Sequence, residues 1–245
     1  MPHLFMTKER FAHNLKIITI LLLSIHLYGC ATTSSLDERD PLEGFYRGVY
    51  SFNQTMDDLI FDPISKLYRV VTPNFLEKGI SNFFRNLGDL SVIVNEILQL
   101  KFDKAASDVS RVLVNSTIGL LGFFDVSSEI GLPKHNEDCG QTLAQWGVGS
   151  GPYIVLPFFG PTTLRDLSSL VVDKGALNPM FYIEDDMTKS GLLTLNYVDF
   201  KSRSSITHDL IGTASLDEYE FIKNAYFEKR AYEISDGNIT DFIEE

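Results

Sequence analysis

The chain has 245 residues, is 44% hydrophobic and 12% aromatic, and carries a formal net charge of −12. So acidic a surface repels nucleic-acid phosphates and anionic headgroups alike, which excludes a nucleic-acid partner and makes any membrane contact apolar rather than polybasic. Two cysteines and five histidines leave little thiol or imidazole chemistry to distribute.

Residues 1–29 are set apart as a lipoprotein signal peptide. Lys8, Arg10 and Lys16 make a basic stretch, and Ile17–Leu27 is apolar except at Thr19, Ser24 and His26. Leu27-Tyr28-Gly29-Cys30 then places a small residue directly before a cysteine. This is a secretory layout, with an apolar run shorter than the roughly 20 residues of a transmembrane helix. Ending on Gly-Cys assigns Cys30 as the lipid attachment residue, carrying a covalent N-acyl/S-diacylglycerol modification. With Cys30 acylated, Cys139 has no intramolecular partner. Ala31 follows the cysteine rather than Asp, which favours the outer membrane. Residues 30–39 read as a tether.

Helix starts come next. Asp40-Pro41-Leu42-Glu43 reads as an N-cap, a proline at the first helical position and an acid that closes a capping box. Phe45, Val49, Phe52 and Met56 recur at helical spacing, and Asp62-Pro63 and Thr72-Pro73 repeat the cap-plus-proline device. These signals predict short helices turning at each proline, over 41–60, 63–71 and 73–86. Leu90–Leu100 presents an apolar face with Ser91, Asn95 and Gln99 opposite. Asp103 is placed to cap a helix over 104–117 with Ala105, Ala106, Val109, Val112 and Leu113 inward. Several of these helices are more apolar than a small soluble bundle requires, as suits helices lying along a bilayer.

Gly119–Pro161 is rich in glycine and proline, and its prolines argue against a sheet core. Cys139–Leu164 carries no charge, but its glycines and prolines exclude a straight transmembrane helix. Helical signals return over 163–172, weakly over 177–186 and 188–204, and finally over 216–234. Residues 235–245 read as a disordered acidic tail. The fold class is mainly α, with one helical domain over 40–234.

Three constellations carry possible chemistry. The run Gly147-Val148-Gly149-Ser150-Gly151-Pro152-Tyr153 lacks the Lys-Ser/Thr of a phosphate loop and reads as a structural turn. His135, Asp138 and Cys139 are ligand and nucleophile types. Only His208 remains as a second imidazole of the processed chain, however, so a polar loop capping a helix near Gln141 is the better reading. No catalytic residue and no metal ligand is assigned. Arg165-Asp166 reads from spacing as a solvated pair; within a membrane the same pair would line a polar cavity.

The sequence also resembles the MlaA (VacJ) lipoprotein family. The resemblance rests on Asp40-Pro41-Leu42-Glu43-Gly44-Phe45, Val49–Asn53, Lys78–Phe83, Asn95–Lys101, Arg111–Gly122, Phe124-Asp125, Ala225–Phe227 and above all the block Pro133–Asp166. Tyr46 stands where the family often has Asn, and Cys139 where Phe is common, which argues against a catalytic thiol. The resemblance implies a ring-like arrangement of amphipathic helices around a central channel, in the periplasmic leaflet of the outer membrane. It implies removal of mislocalised phospholipids from the outer leaflet and their delivery to a periplasmic, MlaC-like lipid carrier, beside a trimeric porin. It implies no enzyme and no cofactor beyond the acyl anchor. Channel or membrane-positioning residues are then expected at Asn82, Phe83, Gly147, Gly149, Gly151, Tyr153, Arg165 and Asp166, with Tyr153 and Trp146 near the interface. A lipid hydrolase using Cys139 with His135, or a lipoprotein that only steadies porins, is the alternative.

Overall fold

A computed structural model describes residues 37–212 and 216–238, with side chains excluded over 205–212. The signal peptide, Cys30, the tether before Asp37 and the tail beyond Asn238 lie outside the described residues, as does the side chain of His208.

The chain is mainly helical. Its elements are α1 (Glu43–Met56), α2 (Asp62–Val71), α3 (Asn74–Leu98), α4 (Phe102–Thr117), α5 (Val126–Glu129), α6 (Cys139–Gln145), a hairpin of β1 (Tyr153–Leu156) and β2 (Gly160–Thr163), α7 (Leu167–Val171), α8 (Asp186–Gly212) and α9 (Glu218–Ile234). A π-helical segment, Asp57–Phe61, joins α1 to α2, and another, Val172–Ala176, extends α7.

The expected turn at Asp62-Pro63 is absent. The helix instead passes through Pro63 by way of the π segment, where the Asp62 N–H bonds back to the Asp57 carbonyl. Widening the ladder by one residue relieves the clash and missing donor that proline brings to a regular helix. At Thr72-Pro73 the expected break does occur, with Thr72 extended as a residue before proline should be. The predicted helices over 73–86 and 90–100 are one helix, α3, running straight through Gly88. Helix weakening by a glycine, about 1 kcal/mol, is outweighed by packing along the whole length of α4.

The capping box at Asp40 does not form. Leu42 is the N-cap and has no side-chain cap bond, while the fully buried Asp40 accepts from Tyr219 Oη at 2.7 Å and pairs with Lys223 at 3.4 Å. Asp40 is thus a tertiary anchor between the start of the domain and α9.

Proline was expected to keep the Gly/Pro-rich segment out of a sheet, yet β1 and β2 pair antiparallel with Pro161 opposite Val155. Both strands of a two-stranded hairpin are edges, the one place where a missing N–H is tolerated. Tyr153 and Val155 point inward and join Tyr219 in the apolar core, with Tyr46, Val49, Tyr50, Tyr226 and Phe227 packed around them. Asn53 of α1 clamps the hairpin, donating to Leu156 O at 2.9 Å and accepting from Phe158 N at 2.8 Å.

That core is small. Among the described residues, buried polar and charged side chains outnumber buried apolar ones, while large apolar side chains crowd the exposed set. α4 shows the inversion residue by residue. Of the five positions expected inward, Val109 and Leu113 are exposed and only Ala105 is buried; Asp108, Arg111 and Asn115 take the interior. α3 does the same: Asn86, Asp89, Asn95 and Glu96 are buried, and Phe75, Ile97 and Leu98 are exposed. The apolar periodicity was read correctly as a face, but it is the outer face. No helix among the described residues is long and apolar enough to cross a membrane.

Candidate functional site

The interior between α3 and α4 is a polar seam. The two helices run antiparallel, and side chains three, four or seven residues apart on each face the other. Asn86 donates to Ser116 Oγ at 3.0 Å. Arg111 donates to Asp125 Oδ1 at 3.0 Å and to the Leu132 carbonyl. Asn115 donates to the same Asp125 oxygen at 3.1 Å and accepts from the Ser127 N–H at 2.9 Å. Lys134 closes the seam by an ion pair with the buried Asp89. Asn86, Asp89, Arg111, Asn115, Asp125 and Lys134, with Asn82 and Arg85, line a pocket of about 10 Å³, room for roughly one water and not for a headgroup.

Deeper along the seam lie Glu96 and Asp108, both essentially inaccessible. His135 Nδ1 sits 2.8 Å from Asp108 Oδ2 and 3.6 Å from Glu96 Oε1. Burial, with Asp108 beside it, pushes the Glu96 carboxyl up to about 8. The end of α3 is tied to neighbouring elements through Asn95, which donates to Asp173 at 2.8 Å and accepts from Thr142 Oγ1 at 2.7 Å. Glu137 receives Gln99 at 3.0 Å and Lys101 at 2.8 Å. Lys101 and Lys104 both reach Asp236, so the first residues of the expected tail are held rather than loose.

A second buried network centres on Arg230 of α9. Its guanidinium grips Asp138 at 2.7 and 3.0 Å and Asp166 at 3.1 and 3.0 Å. Arg165 Nε and Tyr226 Oη also donate to Asp166, at 2.8 and 2.6 Å. Against the burial that pushes it up, these donors hold the Asp166 carboxyl at about 2. Two carboxylates raise the Arg230 pKa in turn. Gly140 is obligatory here, because a Cβ would overlap Asp166 Oδ1.

The expected site residues fall into separate places. Arg165 and Asp166 are not a solvated pair; they belong to the Arg230 network. Asn82 donates to the Phe123 carbonyl at 3.3 Å, and Phe83 stacks edge-on to Phe84. Gly147 terminates α6 in a Schellman turn, with φ +85°, its N–H on Ala144 O and the Val148 N–H on Leu143 O. Gly149 has open space around it, and Gly151 needs φ +66°. Tyr153, expected near an interface, is fully buried under Tyr219, Tyr226 and Phe227, whereas Trp146 is exposed. The structure thus brings Arg165 and Asp166 together and leaves Asn82 and Phe83 apart from them on α3, with Asn82 lining the seam pocket.

Asp138 is the N-cap of α6, accepting from the Gln141 N–H at 2.8 Å, as the polar-loop reading expected. His135 turns Nδ1 to Asp108, and the Cys139 N–H is held by Asp173 at 2.8 Å. The residues missed from sequence are Glu96, Asp108, Arg111 and Arg230. A signal was present: Asp108, Arg111 and Asn115 repeat at the spacing of one helix face, the complement of the apolar stripe.

Comparison with known proteins agrees with this architecture. The sequence model of the MlaA lipoprotein family matches residues 38–233. An Escherichia coli protein described as the intermembrane phospholipid transport system lipoprotein MlaA is 32% identical, over 92% of this chain and 91% of its own length. A Rickettsia felis protein described as uncharacterized is 34% identical, over 80% of this chain and 78% of its own. A solved chain, from work on the structural basis for maintenance of bacterial outer membrane lipid asymmetry, is similar in fold with a TM-score of 0.69. It is 29% identical, and the match covers 80% of this chain and 98% of that one.

Proposed function

The chain belongs to the MlaA lipoprotein family, and from that premise we propose that it is an outer-membrane lipoprotein that withdraws mislocalised phospholipids from the outer leaflet and so maintains lipid asymmetry. The observation that carries this reading is the inverted polarity. Helices with apolar residues outside and a hydrogen-bonded polar seam inside suit a lipid surround, because the outer faces meet acyl chains while the polar groups satisfy one another away from hydrocarbon. The apolar outer faces of α1 to α4 rest among acyl chains of the periplasmic leaflet, and the helices form a ring about a central channel. Acylated Cys30 holds the molecule there. A periplasmic, MlaC-like carrier receives the lipid, and a trimeric porin is the structural neighbour. Asn82-Phe83 and the glycine-rich segment position the ring.

Transport through such a conduit requires no catalytic residue. A deletion strain complemented with wild type, Cys30→Ser or Cys139→Ser tests this through outer-leaflet phospholipid exposure. Exposure should rise on deletion and fall with wild type and Cys139→Ser, but not with Cys30→Ser. Full rescue by Cys30→Ser would remove the anchor. Loss of rescue by Cys139→Ser would point to the hydrolase alternative instead.

A further inference from the structure

The polar seam contains a carboxyl group, that of Glu96, with no protein hydrogen-bond donor on either oxygen. Glu96 is fully buried; beside it, Arg111 Nε and Asp108 Oδ1 make no hydrogen bond and face each other as a long ion pair at 3.6 Å. Arg111 gives Glu96 no hydrogen bond: its terminal nitrogens are taken by Asp125 and the Leu132 carbonyl, and its Nε faces Asp108. A buried carboxylate without a donor is costly, and the cost is relieved either by a proton, as the raised Glu96 pKa allows, or by a cation held with its neighbours.

We propose that Glu96, Asp108 and His135 form a binding site for a divalent first-row cation of the Zn²⁺ type. One ligand atom from each residue lies within 4.8 Å of the other two. Metal–ligand bonds of about 2.0–2.2 Å at tetrahedral or octahedral angles place ligand atoms about 3.0–3.5 Å apart. The observed separations from His135 Nδ1, 2.8 Å to Asp108 and 3.6 Å to Glu96, bracket that range. One imidazole and two carboxylates make a mixed N/O donor set, which suits Zn²⁺ or its first-row neighbours better than Ca²⁺ or Mg²⁺. The three ligands come from α3, α4 and the loop before α6, so the ion cross-links the seam. It neutralises Glu96 without disturbing the Arg111–Asp125 pair. The site is distinct from the His135, Asp138 and Cys139 grouping weighed from sequence, because the Asp138 carboxylate is committed to Arg230 and the α6 N-terminus.

The test uses the full acylated protein in detergent, without a polyhistidine tag, stripped with chelator and reloaded with Zn²⁺ or Co²⁺. After dialysis against metal-free buffer, elemental analysis should find one ion per chain. Glu96→Gln, nearly isosteric, and His135→Ala, at a partly exposed position, should each weaken binding at least tenfold while keeping the helical circular dichroism of wild type. The Co²⁺ form should show visible d–d bands without a near-ultraviolet sulfur-to-metal band. No retained metal in wild type would overturn the proposal and leave a shared proton between Glu96 and Asp108 as the occupant. A sulfur-to-metal band would overturn it in favour of Cys139, as would unchanged binding in both variants.

Discussion

Arg230 decides the fate of two carboxylates, the buried Asp166 and the half-buried Asp138. Replacing it with Met leaves both without their shared cation, which should cost ~3 kcal/mol in denaturant unfolding of the detergent-solubilised protein. The pH dependence has a definite sign. Asp166 has a folded pKa of about 2 against an ordinary 3.8, so its contribution is complete above the higher value and lost as the pH falls toward the lower one. That contribution is about 2 kcal/mol. In Arg230→Met the fall in stability between pH 4 and pH 2 should be shallower, because the folded pKa returns toward the unfolded one. None of this network was legible from spacing. Asp138, Asp166 and Arg230 are far apart in sequence, and only the fold shows that one arginine serves both acids.

At the level of elements, the glycine-rich segment separates into positions that matter for the backbone and positions that do not. Gly147→Ala forces a side chain into the left-handed region that ends α6 and should cost about 1 kcal/mol. Gly149→Ala has open space and should leave the melting temperature unchanged. Thermal melts of the two variants side by side would separate them; equal losses would show that the segment acts through something other than the helix stop. Most helices were legible because apolar periodicity and proline placement are local signals. The π segment before Pro63 was not, since it resolves a conflict between a proline and a helix that tertiary packing keeps continuous. Nor was the hairpin, whose strands are four residues each and hold through Asn53 and the aromatic cluster.

Over the whole molecule, the same periodicity that located the helices misassigned the inner face of α4. Amphipathic patterning specifies that two faces differ; the surrounding solvent decides which turns inward, and for this chain the outward apolar face points to lipid. Val70, 83% exposed, and Leu67, 62% exposed, lie on the outer side of α2. Changing either to Asp should leave folding in detergent intact but weaken partition of the non-acylated protein into phospholipid vesicles by roughly tenfold. That is the scale of about 1.4 kcal/mol of lost apolar transfer, which the burial of a single such side chain would supply. Vesicle flotation measures it, and unchanged flotation of both variants would place α2 away from the bilayer.

The small aromatic core has a calorimetric consequence. Heat capacity rises on unfolding chiefly because apolar surface becomes hydrated, and polar surface lowers it. A molecule whose interior is Asn, Asp, Glu and Arg, and whose apolar faces stay in detergent or lipid when the helices separate, has little of that surface left to hydrate. Its stability curve should therefore be flat with temperature, with the hydrophobic signature displaced from the folding of the chain to its insertion into the membrane.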